Sequence, residues 1–93
     1  MASTVSMPKP VVKISDMSED MLNFALFETN KAFMAFNNDK EVAQAVRNAF
    51  VTNYHGVWHC FVGRNFGSFG TYEQGHYVYF YLGQHAVMLF KTN

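Results

Sequence analysis

Apolar and aromatic residues dominate the last third of the chain, in short runs separated by glycine. Residues 58–90 hold the only tryptophan and all but one of the tyrosines, with glycine at positions 63, 67, 70, 75 and 83. Such runs are typical of a meander of short antiparallel strands. We predict a tight turn at Gly83-Gln84 and strands at residues 58–63, 66–72, 76–82 and 85–91.

Neither face of this predicted sheet is polar. Side chains alternate along a strand, so Tyr77, Tyr79 and Tyr81 share one face. The opposite face carries Val78, Phe80 and Leu82. A sheet that is apolar on both faces needs a covering layer on each.

The upstream sequence predicts a flexible tail over residues 1–10, a short edge strand at residues 11–14 and then a first helix. Asp16 or Ser18 is the expected N-cap, with carboxylates in the first turn, and the helix is expected to reach Phe36. Its core stripe at helical spacing is Leu22, Ala25, Leu26, Thr29, Phe33 and Phe36. Phe24, Phe27 and Met34 fall partly outside that stripe, which indicates either a broad core face or a second docking surface.

A second helix is predicted over residues 39–53. Asn38 followed by Glu41 resembles a capping box. The apolar stripe of this helix is Val42, Val46, Ala49 and Phe50, and Gln44, Arg47 and Asn48 point outward. Both helices can cover only one sheet face, so we expect the other face to be covered by a second copy or by a ligand strand. Residues 66–72 are glycine-rich and weakly patterned, and they are the best candidate for pairing with another chain.

The length, composition and charge of the chain exclude several classes of protein. The chain has 93 residues, enough for one domain, and it is 49% hydrophobic. Seven Lys and Arg balance seven Asp and Glu, so the net charge is zero. We therefore expect no nucleic-acid partner and no binding to anionic lipid. No apolar run approaches the ~20 residues of a membrane span, and residues 1–10 lack the apolar segment of a secretory signal, which predicts a cytosolic protein.

Candidate chemistry is sparse. Cys60 is the only cysteine, which excludes an internal disulfide, and a buried inert thiol is expected. It is adjacent to His59 on a predicted strand, so the two side chains point to opposite faces and cannot act as nucleophile and base. The four histidines do not cluster with other metal ligands, and the glycines match no nucleotide-binding fingerprint. We predict no catalytic residue, no metal and no cofactor.

Four motifs resemble one known family. These are Asp16-Met17-Ser18-Glu19, the run WHCFVGRNFGS over residues 58–68, and YFYLGQ over residues 79–84, followed by Leu89-Phe90-Lys91. The sequence is similar to the strand-swapped, eight-kilodalton class of dynein light chains over nearly everything after the tail. Residues 11–93 are thus identified as a dynein light chain domain.

The resemblance implies an α+β fold in which two helices pack on a small antiparallel β-sheet. In a homodimer, that sheet would be completed by a strand swapped from the partner, residues 66–72. It also implies a non-catalytic hub that binds short extended peptides from disordered partners by β-strand addition in two interface grooves. The dynein intermediate chain is one implied partner, and the implied location is the microtubule-associated dynein complex in the cytoplasm. The alternative is a structural or membrane-surface interaction protein that uses the apolar stripe of helix one.

The resemblance also implies the site residues. Those that would bind peptide are Asp39, Lys40, Asn65, Phe66, Gly67, Ser68, Phe69, Gly70, Thr71, Tyr72, Tyr77, Tyr79, Tyr81 and Ala86. Those that would form the dimer interface are His59, Phe66, Gly67, Ser68 and Thr71.

Several of these positions depart from the family pattern. Asp39 stands for a glutamate, Phe69 for a tyrosine and Tyr77 for a phenylalanine. Gly70 replaces a β-branched residue and Tyr72 a histidine within the pairing strand. We expect these changes to alter ligand preference and not the fold.

Overall fold

The computed structural model describes residues 9–64 and 75–92, which form two helices and four strands. In chain order these are β1 (Pro10–Ser15), α1 (Glu19–Ala35), α2 (Asp39–Tyr54), β2 (Val57–Gly63), β3 (Tyr77–Leu82) and β4 (His85–Thr92). Each element lies within one residue of its predicted bounds at either end. The predicted strand at residues 66–72 lies outside the described residues.

Local hydrogen bonds explain where the helices begin. The Ser18 hydroxyl accepts from the amide of Met21 at 3.2 Å, so Ser18 rather than Asp16 caps α1. The Asn38 side chain accepts from the Glu41 amide and donates to its carboxylate, both at 2.8 Å. The predicted capping interaction of α2 is confirmed.

The four strands form one antiparallel sheet in the order β1-β3-β4-β2. β3 and β4 are joined by the tight turn at Gly83-Gln84, where Gly83 has a φ of 63° that favours glycine. The pairing register between β1 and β3 shifts by an irregularity between Val12 and Ile14. β1 and β2 are the two outer strands of the described sheet.

The main core lies between the helices and one sheet face. Its fully buried large side chains include Trp58, Phe50 and Phe80. Ala25, Ala32, Val42, Val46, Val78, Val87 and Leu89 complete this cluster. Phe24 packs edge-on against Phe50, with ring centroids 5.2 Å apart, so it joins the core that the sequence pattern placed partly beyond it.

Three apolar residues in or just after the second half of α1 are exposed, and the sequence pattern predicted this for two of them. Phe27 and Met34 are exposed for 61% and 75% of their surface, which confirms that they lie outside the core of α1. Phe36 was predicted to be a core residue, but it is exposed, because α1 ends at Ala35 and the Phe36 backbone is extended.

The second sheet face, which we expect another chain to cover, carries a cluster of its own. Tyr77, Met88 and Phe90 form a second cluster on this face and are only 5%, 1% and 8% exposed. Phe90 lies between cross-strand neighbours, with the His59 ring stacked at 5.2 Å and the Tyr77 ring at 6.2 Å. Aromatic rings from neighbouring strands thus pack against one another at the centre of this face.

Candidate functional site

A groove runs between helix α2 and the outer strand β2. We call it the α2–β2 groove, and its volume is about 300 Å³. Its lining residues are Asp39, Lys40, Ala43, Gln44, Arg47, Cys60, Phe61 and Val62. The helix wall is one face of α2, since positions 40, 43, 44 and 47 recur at helical spacing.

The strand wall of the groove is the outer edge of β2. Within residues 9–64 and 75–92, β2 pairs with β4 alone, in a continuous register from Val57 opposite Thr92 to Gly63 opposite Ala86. An outer strand presents backbone N–H and C=O groups on the side away from its neighbour. Such an edge is the part of a sheet to which an extended chain can add.

Arg47 fixes the distance between the two walls. Its Nε donates to the carbonyl oxygen of Trp58 at 3.1 Å, and its Nη1 donates to Asn48 Oδ1 at 3.4 Å. Trp58 is in turn held by its indole N–H, which donates to the His55 carbonyl at 2.8 Å. These bonds tie α2 to the start of β2 and place the groove where the two elements diverge.

The charged end of the groove is the N-terminus of α2. Asp39 and Lys40, two of the residues that the resemblance implied for peptide binding, both line it. The Asp39 carboxylate is 3.5 Å from His85 Nδ1, at the start of β4, and the His85 ring lies 4.6 Å from that of Phe33. Asp39 and Lys40 place opposite charges side by side, and a polar ligand can contact either one.

Cys60 lines the groove without offering a reactive thiol. Burial raises the pKa of the Cys60 thiol to about 12. The thiol is thus protonated at neutral pH, and it is the thiolate that acts as nucleophile or metal ligand. In the part of the chain that the structure describes, no three His, Cys, Asp or Glu side chains lie close enough to hold a metal ion.

The predicted aromatic residues lie on the sheet face opposite the helices. Tyr79 and Tyr81 are half-buried, with hydroxyl oxygens 3.3 Å apart, and Tyr77 is buried. Ala86 is buried opposite Tyr81 in the β3–β4 register. These side chains cluster together, but they do not line the α2–β2 groove.

His59 lies on the same face as the tyrosines. Its Nε2 is 3.0 Å from the Thr92 hydroxyl, across the β2–β4 ladder, and its ring stacks on Phe90. The remaining predicted residues, 65–72, lie outside the described residues.

Sequence reasoning missed most of the groove walls. Gln44 and Arg47 were assigned to solvent, and Phe61 and Val62 only to a strand. The helical spacing of Lys40, Gln44 and Arg47 was a visible signal of a polar face. Only the position of β2 at the sheet edge reveals what that face lies against.

The described residues form a two-helix α+β domain on a four-stranded antiparallel sheet, which matches the fold of dynein light chain-like domains. A family model described as dynein light chain type 1 matches residues 9–92. The chain therefore belongs to the dynein light chain type 1 family, whose domains generally dimerise and bind partner peptides.

Solved structures of similar fold include two forms of one domain. The dynein light chain-like domain of the Fasciola hepatica calcium binding protein FhCaBP2 has a TM-score of 0.83 and 20% identity, over 92% of this chain and 93% of that one. Its mercury derivative has a TM-score of 0.81 and 22% identity, over 99% of each chain.

A domain of another protein shares the fold as well. The dynein light chain-like domain of CsTAL3 has a TM-score of 0.76 and 17% identity, over 91% of this chain and 94% of that one. At these identities the likeness concerns the fold alone.

Proposed function

We propose that this protein is a non-catalytic homodimer that binds short extended peptide segments of partner proteins by β-strand addition. The observation that carries the proposal is the outer edge of β2 in the described sheet, where Cys60, Phe61 and Val62 line the α2–β2 groove. A strand added there gains main-chain hydrogen bonds from the sheet and side-chain contacts from α2.

In this proposal two strands are added in order beside β2, first a strand of the second copy and then the ligand peptide. Residues 66–72 of a second copy pair with β2, and the ligand peptide pairs with that swapped strand under α2. Asp39 and Lys40 then contact polar ligand side chains at the end of the groove. Membership of the family supports the dimer.

The dimer is also expected to bury the sheet face opposite the helices. This face carries Tyr77, Tyr79 and Tyr81, and we call it the tyrosine face. His59, Phe61 and Tyr79 lie around the buried Phe90, and Phe61 is 45% exposed. Tyr81 lies beside Tyr79 on the same face. A second copy packed on this face would remove these rings from water, at about 25 cal/mol for each Å² of apolar surface.

Peptide titration in a calorimeter tests the function. The ligand is a peptide carrying the threonine-glutamine-threonine core that the resemblance implies, with a control peptide in which the glutamine is alanine. We expect one peptide per protomer and micromolar affinity, about 8 kcal/mol. Gln44→Ala, in the groove wall, should weaken binding, whereas Asn53→Ala, on another face of α2, should not. Absence of binding by several such peptides would contradict the proposal.

We further propose that the partners include the dynein intermediate chain and that the protein acts in the microtubule-associated dynein complex of the cytoplasm. The family supports a place in a motor complex. Co-sedimentation of the protein with dynein intermediate chain, and its loss on competition with the threonine-glutamine-threonine peptide, is the measurement.

The alternative function at a membrane surface rests on the exposed Phe27 and Met34 of α1. α1 carries Glu19, Asp20 and Glu28 against the single Lys31. Helices that bind membrane surfaces are rich in Lys and Arg on their polar face, so this charge disfavours the alternative. No helix in the described residues is long and apolar enough to cross a bilayer. Flotation with phosphatidylserine vesicles discriminates between the two functions.

A further inference from the structure

The outer side of α1 carries a stripe of side chains away from the sheet. We call Asp20, Phe24, Phe27, Lys31 and Met34 the outer stripe. Successive members are four, three, four and three residues apart, so they lie on one side of the helix. Within it, Phe27 and Met34 are 61% and 75% exposed. The core of the domain uses Phe24 and leaves Phe27 and Met34 in solvent.

A groove between the two helices adjoins the stripe. We call it the outer groove, and its volume is about 440 Å³. Its lining residues are Phe24, Glu28, Lys31, Ala45, Asn48, Ala49, Thr52 and Asn53. Ala45 and Ala49 are one turn apart on α2 and give the groove a floor of small side chains, which allows another backbone to approach closely.

One wall of the outer groove is held in place by aromatic packing. The Phe24 ring lies 5.2 Å from Phe50 and 5.5 Å from Tyr54, both on α2 and both edge-on. Such contacts fix the Phe24 side chain in one position. The groove is therefore formed in advance of any ligand, which reduces the entropy lost on binding.

Lys31 adds apolar surface to the stripe. Its Nζ is 3.4 Å from Glu28 Oε1 and 5.6 Å from the centroid of the Phe27 ring. The charge is thus compensated within the helix, and the methylene chain lies beside Phe27. The exposed charge at the other end of the stripe is Asp20, in the first turn of α1.

We propose that the outer stripe and the outer groove form a docking site for one amphipathic helix of a partner protein. Spacing of four and three residues is the pattern by which two helices pack along a common seam. The partner helix places its apolar residues against Phe24, Phe27 and Met34 and approaches α2 over Ala45 and Ala49. A Lys or Arg at the end that meets Asp20 fits the charge of the stripe.

The exposed area favours one helix over a second copy of the chain. From the exposed fractions of Phe27 and Met34, with a smaller share from Phe24, the apolar patch is on the order of 300 Å². A stable dimer interface needs roughly 800 Å² from each partner. A single docked helix requires less and leaves the contact weak and reversible.

This site is separate from the α2–β2 groove. Ala45 and Ala49 lie on one face of α2, and Lys40, Gln44 and Arg47 lie on another. The inference therefore stands without the proposed peptide-binding function, and both sites can be occupied together.

The test is a titration of the isotope-labelled protein followed by nuclear magnetic resonance. The probe is a synthetic peptide of three heptads with Leu at the seam positions and Lys and Gln elsewhere. A peptide of the same composition in scrambled order is the control. We expect saturable binding with Kd on the order of 10–100 µM. Amide shifts should concentrate in α1 around Phe27 and in α2 around Ala45 and Ala49.

Two variants locate the site. Phe27→Ser combined with Met34→Ser should weaken binding at least tenfold, and both residues are exposed enough to be replaced without unfolding the domain. Ala45→Gln fills the floor of the outer groove and should weaken binding by a similar factor. Val11→Ser is the matched control, because Val11 is 52% exposed on β1, and it should change binding less than twofold.

Four outcomes overturn the proposal. One is equal binding of the scrambled peptide, and another is peptide shifts confined to the tyrosine face or the α2–β2 groove. A third is self-association of the free protein that Phe27→Ser with Met34→Ser abolishes, since the occupant is then a second copy. The fourth is binding to phosphatidylcholine vesicles that the same variant abolishes, since the occupant is then a lipid surface.

Discussion

Replacing Thr29 by valine should stabilise the protein. Thr29 lies in the middle of α1 and is fully buried, and its hydroxyl oxygen Oγ1 has no hydrogen-bond partner among residues 9–64 and 75–92. A buried hydroxyl that has lost water without gaining a partner costs about 1–3 kcal/mol. Valine has nearly the same shape and a similar helix propensity, so it removes this cost and keeps the packing. We expect a gain of about 1–2 kcal/mol in the free energy of unfolding.

Two further variants separate the hydroxyl from the rest of the side chain. Thr29→Ser keeps the hydroxyl and removes a methyl group, so it should destabilise by about 1 kcal/mol or somewhat more. Thr52→Val makes the same chemical change at an exposed position of α2, where an effect below about 0.5 kcal/mol is expected.

Urea denaturation at one fixed protein concentration is the assay, because dimerisation makes apparent stability depend on concentration. Trp58 is the only tryptophan and is fully buried, so its fluorescence reports unfolding. A gain of 1 kcal/mol corresponds to about 4–8 °C in Tm for a domain of this size. A valine variant less stable than wild type would refute the reasoning, as would an equal gain from Thr52→Val.

Four other predictions concern single features of the chain. His55 has φ 60° and ψ 174°, a backbone conformation that is strained for any residue other than glycine. His55→Gly should therefore raise the free energy of unfolding by about 1 kcal/mol in the same urea assay. A lower free energy of unfolding would contradict this. His59→Lys should give monomers in sedimentation at neutral pH, because it places two cations at the proposed interface. A His59→Lys variant that stays dimeric would exclude this. Burial raises the pKa of the Cys60 thiol to about 12. The free energy of unfolding should therefore fall as the pH rises above about 9, because the thiol ionises first in the unfolded chain. Cys60→Ala should remove this pH dependence in alkaline denaturation. Gly70→Val with Tyr72→His should tighten binding of a threonine-glutamine-threonine peptide by about 0.5–1 kcal/mol in calorimetry, and unchanged or weaker binding would contradict it.

Only the end of the candidate site at the start of α2 could be anticipated from the sequence. Asp39 and Lys40 were identified through the family resemblance, and both line the α2–β2 groove. The sequence pattern predicts that the Arg47 side chain points outward, because helical periodicity shows only which residues lie away from the core. Its bond to the Trp58 carbonyl depends on where β2 passes α2, which no local pattern encodes.

The sequence by itself determined the local structure and the two apolar layers. The alternation in residues 76–91 gave both strands to within a residue, and Ser18 and Asn38 marked the helix starts, because caps and periodicity act within a few residues. The strand order β1-β3-β4-β2 was decided by tertiary structure, since pairing between distant segments depends on which surfaces bury one another. The same reason explains the second cluster around Phe90: its rings belong to β2, β3 and β4, and only the assembled sheet brings them together.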